Sequence, residues 1–394
     1  YNYWQEPVSS DEIAFGDPST QESGSKAAVL GTSYPSDVPF AVTAWYLGQD
    51  DGGNDRSWDD WKNKTQADGG PIRYIPRAGS DNFISTITRV AENTWKNNVN
   101  KSYWPAKGTL TFFAFSPQSL VNSCIVSCTP GHSIQISEFD ASPAGNGKIA
   151  GAQWDVDFMT SPVLKDKTLE NVGGNKLLIN FQHQLALINF QAKSNKDLDD
   201  NVSVYLKEIK LSKVISKASY ELTDDPKDRW TPVAYSDNRH MSDYVIFSNP
   251  DGLKLTKNPV ITSTLNNGNP ILVIPQTLKS LYGDVNEDNY TLSVTFDKII
   301  TTDQGGEQNV ETRTITCYRD LSALQWKSWD LNKSYIYSLE IGGLDQILWD
   351  VYVVPFNTES VQLHPELFDK NGDVSDDIEL KLAKKNLLDY ISFP

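Results

Sequence analysis

Few residues in this 394-residue chain have side chains suited to catalysis, and their spacing does not assemble a catalyst. The four histidines are scattered: His132 beside a Pro-Gly turn, His183 inside an alternating apolar run, His240 in a polar stretch and His364 before Pro365. His183 reads as a buried strand histidine held by a hydrogen bond. Elbow-type hydrolases need Gly-x-Ser-x-Gly after a strand, and the nearest stretch, Gly24-Ser25-Lys26, does not match. No His-Glu-x-x-His pair occurs, and no Gly-rich phosphate loop precedes a helix. A glycosidase needs two carboxylates roughly 5–9.5 Å apart across a cleft, and nothing singles out such a pair among the 51 acids. The expectation is a protein that is not an enzyme and carries no cofactor and no metal.

Calcium, thiol and stacking chemistry remain to be weighed. Asp369, Asn371 and Asp373, like Asp284, Asn286 and Asp288, place oxygens at loop positions one, three and five. An EF-hand loop also requires Gly at six and Glu at twelve. Here those places hold Val374 and Leu380, or Asn289 and Thr295, so both loops read as ordinary Asx turns. Cys124 and Cys128 either close a small disulfide loop in an oxidising compartment or are two small core residues. Cys317 sits on the apolar side of an alternating run and reads as a buried thiol. Trp58, Trp61, Trp95 and Trp104 lie in or next to loops. Exposed, such rings stack on sugars, which makes Trp58, Trp61 and Trp104 candidate glycan contacts; buried, they plug the ends of a sandwich.

The elements that would position these residues are almost wholly β. Tyr290, Leu292, Val294 and Phe296 alternate with Thr291, Ser293 and Thr295, the pattern of a strand with one wet face. Tyr335, Tyr337, Leu339 and Ile341 repeat it. Residues 39–46 and 109–115 are apolar on both faces, as central strands are. Two runs change phase. Leu177 to Leu187 alternate, and then Ile188, Phe190 and Ala192 take over; Val202, Val204 and Leu206 give way to Ile209 and Leu211. A bulge in a long bent strand accounts for each shift. Gly- and Asn-rich clusters such as 52–55 and 266–270 punctuate the runs. The fold class is therefore an all-β sandwich.

A polar stretch with a Gly pair at 165–175 divides the chain into residues 1–170 and 171–352, each large enough to enclose a core. Ile13, Ala14 and Phe15 form a lone apolar run in a loosely held leader. In the extension 353–394, residues 375–385 read equally as a strand, with Ile378, Leu380 and Leu382 on one face, or as a helix capped by Ser375. With 51 acidic against 35 basic side chains the formal charge is −16, a field that repels nucleic acid and anionic lipid. No run approaches the ~18 apolar residues of a membrane span. The chain starts at Tyr1, so either a leader has been removed or the chain has been trimmed; the expectation is a soluble mature protein whose membrane anchor, if any, lay in the missing leader.

Several strings then line up. Tyr103-Trp104-Pro105, followed by LTFFAFSP at 110–117, resembles the YWP…L-FFAYSP signature of the fimbrillin family, the Mfa-like fimbrial subunits of Gram-negative anaerobes. Ile13-Ala14-Phe15-Gly16 and residues 39–44 resemble its opening strands. Asp157-Phe158-Met159-Thr160 falls at its D-L-hydrophobic element, residues 181–188 at its F-H-LA-I strand, and Val273-Ile274-Pro275-Gln276 at its IPQ. The matches keep the family's order across residues 13–341. The resemblance implies two tandem transthyretin-like Greek-key sandwiches, export as an outer-membrane lipoprotein, and display in a fimbrium on the cell surface. It implies other fimbrial subunits as partners, with surface glycans or proteins as further ligands. It also implies assembly by strand exchange: a cut after a basic residue releases the first strand, and a neighbour's strand fills the groove. Lys26 is the only basic residue before Arg56 and so the candidate cut site, although family members often carry Arg. The implied donors are residues 350–356, with Val351 and Val353, and residues 378–382.

Overall fold

The computed structural model describes residues 8–20, 34–76, 83–97, 99–122, 125–128, 134–143, 157–173, 176–195, 197–223, 226–232, 241–261, 271–278, 291–321, 327–342 and 347–355. Lys26, Cys124, the loops 284–288 and 369–373, and Ile378, Leu380 and Leu382 lie outside the described residues. The chain is nearly all β, and among the described residues helix is confined to short turns such as Trp58–Trp61.

Two central strands explain the doubly apolar runs. Phe40–Leu47 and Thr109–Ser116 are buried throughout and pair antiparallel, from Ala41 opposite Phe115 to Leu47 opposite Thr109. Alternation sends Phe40, Val42 and Ala44 into one core with Phe112 and Phe181. Ala41, Trp45 and Leu47 point the other way, into a second core with Phe113 and Phe115. The sheet runs from Asn180–His183 through Met159–Thr160, Thr109–Ser116, Phe40–Leu47 and Ser85–Ala91 to Thr94–Lys96. The turn entering Thr109–Ser116 needs Gly108, whose φ is +75° and whose missing Cβ would lie 2.3 Å from the carbonyl of Leu47.

The second core is roofed by a four-stranded antiparallel sheet. Ile134–Asp140 pairs with Ile125–Cys128 on one side and with Lys217–Glu221 on the other, and Trp230–Pro232 completes the edge. This sheet draws strands from both sides of residue 171. The third core lies between two further sheets. In one, Ala186–Ser194 runs parallel to Lys333–Ile341, which pairs antiparallel with Ile347–Pro355. The other sheet orders Met241–Lys254, Val202–Ile215, Thr291–Gln304 and Glu307–Asp320. Ile188, Phe190, Leu206, Ile209, Phe296 and Tyr337 fill the space between them.

The two phase shifts have different causes. At Leu206 and Glu208 the register of Val202–Ile215 slips against Thr291–Gln304, a bulge as expected. The run from Leu177 to Ala192 is instead two strands: Asn180–His183 ends in the first sheet and Ala186–Ser194 begins in another. Gln184 and Leu185 make the crossing. Fully buried Gln184 binds both sides of it. Its amide nitrogen donates to the Phe158 carbonyl (2.8 Å), its carbonyl accepts from Trp230 Nε1 (2.7 Å), and its Oε1 accepts from Tyr220 (3.0 Å) and Arg229 (3.1 Å).

Candidate functional site

The run Ile13 to Phe15 is neither lone nor loosely held. Val8–Glu12 pairs antiparallel with Tyr103–Pro105, and Ser19–Thr20 runs parallel to Asn180–His183. Between them Phe15 bridges Trp95 on one flank and Leu177 on the other. Residues 8–20 thus lie between the two ends of the first sheet and close it. The Phe15 and Trp95 amides exchange bonds at 2.8 and 2.9 Å; Ile13 N–H donates to the Ser102 carbonyl at 2.8 Å. Opposite, Gly16 donates to Leu177, Leu177 to Ala14, and Ser19 to Ile179, all within 3.0 Å.

Alternation directs Ile13 and Phe15 inward. Phe15 is 1% exposed, and its ring meets Phe40 and Phe112 edge-on, with centroids 5.7 and 6.1 Å away. Trp95, Trp104, Leu177 and Ile179 belong to the same cluster. Charged groups tie the rim: Glu12 pairs with Lys96 at 2.9 Å, and Asp17 accepts from the Trp95 indole at 2.8 Å. Beyond Thr20, Tyr34 covers the inner end by stacking on Phe181 at 5.2 Å and bonding Ser116 Oγ at 2.7 Å. Burial, opposed by the Ser116 bond and reinforced by the Asp157 charge, pushes the Tyr34 phenol up to about 12. Asp17, Trp95 and Tyr34 carried no sequence signal for this site, because their partners lie far along the chain.

The tryptophans weighed as sugar platforms occupy other positions. Trp58 and Trp104 are 3% and 2% exposed, packed on Phe113 and Phe112 respectively, so neither offers a ring face to a ligand. Trp61 is half-buried, with the Arg56 guanidinium 4.2 Å above its ring. His183 is buried, and its Nδ1 lies 2.7 Å from Asp157 Oδ1. Ser116 and His183 sit opposite Met159 on its two flanks, and each side chain is bonded to another partner, Tyr34 for Ser116 and Asp157 for His183. An open hollow of about 610 Å³ borders Gly16 and is lined by Lys167, Lys176 and Leu178, with no carboxylate or histidine among its described lining residues. Among the described residues no cluster of three His, Cys, Asp or Glu could hold a metal, and no helix is long and apolar enough to cross a membrane. Val351 and Val353 belong to a strand that pairs along its whole length with Lys333–Ile341, and Val351 packs into the third core.

The fimbrillin-like family profile matches residues 61–355, about three quarters of the chain. The chain belongs to the fimbrillin-like family. Among solved structures, a fimbrial protein from Bacteroides vulgatus resembles this fimbrillin-like chain with a TM-score of 0.59 at 15% identity, covering 88% of it and 100% of the neighbour. A protein described as a cell adhesion protein from Bacteroides uniformis aligns at 14% identity over 88% and 98% of the two chains (TM-score 0.45). The tip fimbrial protein Mfa3 from Porphyromonas gingivalis aligns at 11% identity over 81% and 94% (TM-score 0.36). The likeness to the first is one of fold. No curated protein matches the sequence. A fimbrial structural or adhesive role at the cell surface, in company with other fimbrial subunits, follows from family membership.

Proposed function

We propose that this chain is a fimbrial subunit that joins its neighbours by exchanging one strand, with residues 8–20 as the strand that leaves. The observation that carries the reading is the closure of the first sheet by a single segment bonded on both flanks and anchored by Phe15. Its removal strands the Trp95 and Leu177 amides and opens an apolar trough, each orphaned buried group costing about 1–3 kcal/mol. One added strand satisfies both defects at once, the logic of β-augmentation. While residues 21–33 are intact, the segment competes at an effective concentration of roughly millimolar. A cut there, with Lys26 as the candidate, turns it into a dilute free peptide that another copy's strand outcompetes. Attachment to the outer membrane through a lipid on a leader belongs to the same proposal.

A specific protease sequence placed within residues 21–33 tests the reading. Cutting should release the leading fragment and produce detergent-resistant ladders, while uncut protein stays monomeric. Cut protein that has shed its fragment and remains monomeric would overturn strand exchange. Substituting Lys26→Ala should suppress the natural cut, read as an unchanged N-terminus in cell-surface preparations.

A further inference from the structure

The seated segment carries a pattern that the sequence uses twice. Asp11-Glu12-Ile13-Ala14-Phe15 has the form Asp-x-Ile-x-Phe, and the one other place with that form is Asp389-Tyr390-Ile391-Ser392-Phe393. The three shared positions match the structural roles of the first copy. Asp11 is exposed, whereas Ile13 and Phe15 point inward at 4% and 1% exposure. At the intervening position Ala14 is half-buried, which suits Ser392. We infer that the groove selects its ligand through the Phe15 pocket, and that residues 389–393 of a second copy are what it takes. This rests on the strand-exchange reading above and names its specificity determinant.

The pocket accounts for the choice. Edge-on contacts from Phe40 and Phe112 define a slot for a flat ring, with Trp95 in the same cluster. An aliphatic side chain in that slot leaves part of it empty, and unfilled core volume is destabilising. Ile378, Leu380 and Leu382 offer no ring. Residues 347–355 serve their own sheet, so donating them would open the third core around Val351. With Phe393 in the place of Phe15, Pro394 falls at Gly16. A Cβ at Gly16 would lie 2.9 Å from Leu178 Cδ2, the far end of an exposed side chain that can turn aside. The donor then loses two features of the original: Pro394 has no N–H for the Leu177 carbonyl, and Tyr390 cannot pair with Lys96 as Glu12 does.

The test uses full-length protein carrying the cleavable sequence within residues 21–33. A labelled peptide of residues 385–394 is titrated into cut protein, and laddering is followed separately. The cut protein should capture the peptide, and a Phe393→Ala peptide should bind roughly a hundredfold more weakly or worse, as expected for loss of a buried phenylalanine anchor. In the protein, Phe393→Ala should abolish ladders while Leu380→Asp leaves them intact. If cut protein ladders but ignores both the peptide and the Phe393→Ala change, the donor is another segment and this inference falls, with strand exchange untouched. If cut protein has shed its fragment yet neither ladders nor captures the peptide, both readings fall.

Discussion

Phe15 is the residue on which the first core closes. Replacing it with Ala removes a ring that is 1% exposed and wedged between Phe40 and Phe112. The expected loss is about 3–5 kcal/mol, measured by urea unfolding of the uncut chain. The same change should speed release of the leading segment once residues 21–33 are cut. Gln184 offers a contrasting case of polar closure. Gln184→Ala leaves the Tyr220 hydroxyl with Thr160 at 3.2 Å but deprives Arg229 of a buried acceptor. A destabilisation of about 2–3 kcal/mol is expected from the groups left unsatisfied, again from the urea midpoint.

At the level of elements, the strands themselves were largely legible, because period-2 alternation is a local property. The runs around Thr291, Tyr335, Phe40 and Thr109 all became strands in the expected places. The phase shift near Leu187 was visible as well, but its cause was not. A bulge and a change of sheet both break alternation, and the strand partners on either side of Gln184 distinguish them. The site was half legible for the same reason. Ile13 to Phe15 stood out as an apolar run, yet its mates at Trp95, Ser102 and Leu177 are set by topology. Loop position left Trp58 and Trp104 open between a glycan contact and a buried plug, since a ring next to a loop still turns inward when a phenylalanine waits there. One element-level expectation follows from the two-flank bonding: in the uncut protein the Phe15 and Gly16 amides should exchange hydrogen as slowly as those of Phe40–Leu47. Fast exchange at Phe15 with protection at Phe40–Leu47 would show that the segment opens by itself.

For the molecule as a whole, buried phenols set the alkaline limit. Burial raises Tyr34 to about 12, and burial likewise pushes Tyr220, Tyr335 and Tyr337 upward. In the unfolded chain these groups ionise near 10. Above that pH the unfolded state sheds protons that the folded state keeps, so stability falls as pH rises. Their contribution is intact at pH 7–9 and declines from pH 10 upward through the Tyr34 value, which urea midpoints across that range will report. The antiparallel sheet over the second core adds a second whole-molecule consequence. Ile134–Asp140 has Lys217–Glu221 as its neighbour, so the two sides of residue 171 share backbone bonds. Grafting the first 170 residues of one such chain onto the remainder of a distant relative would therefore divorce matched partners. Recombination between cousins should succeed only where both spouses of that marriage travel together, which makes residue 171 a poor place for evolution, or an engineer, to shuffle parts.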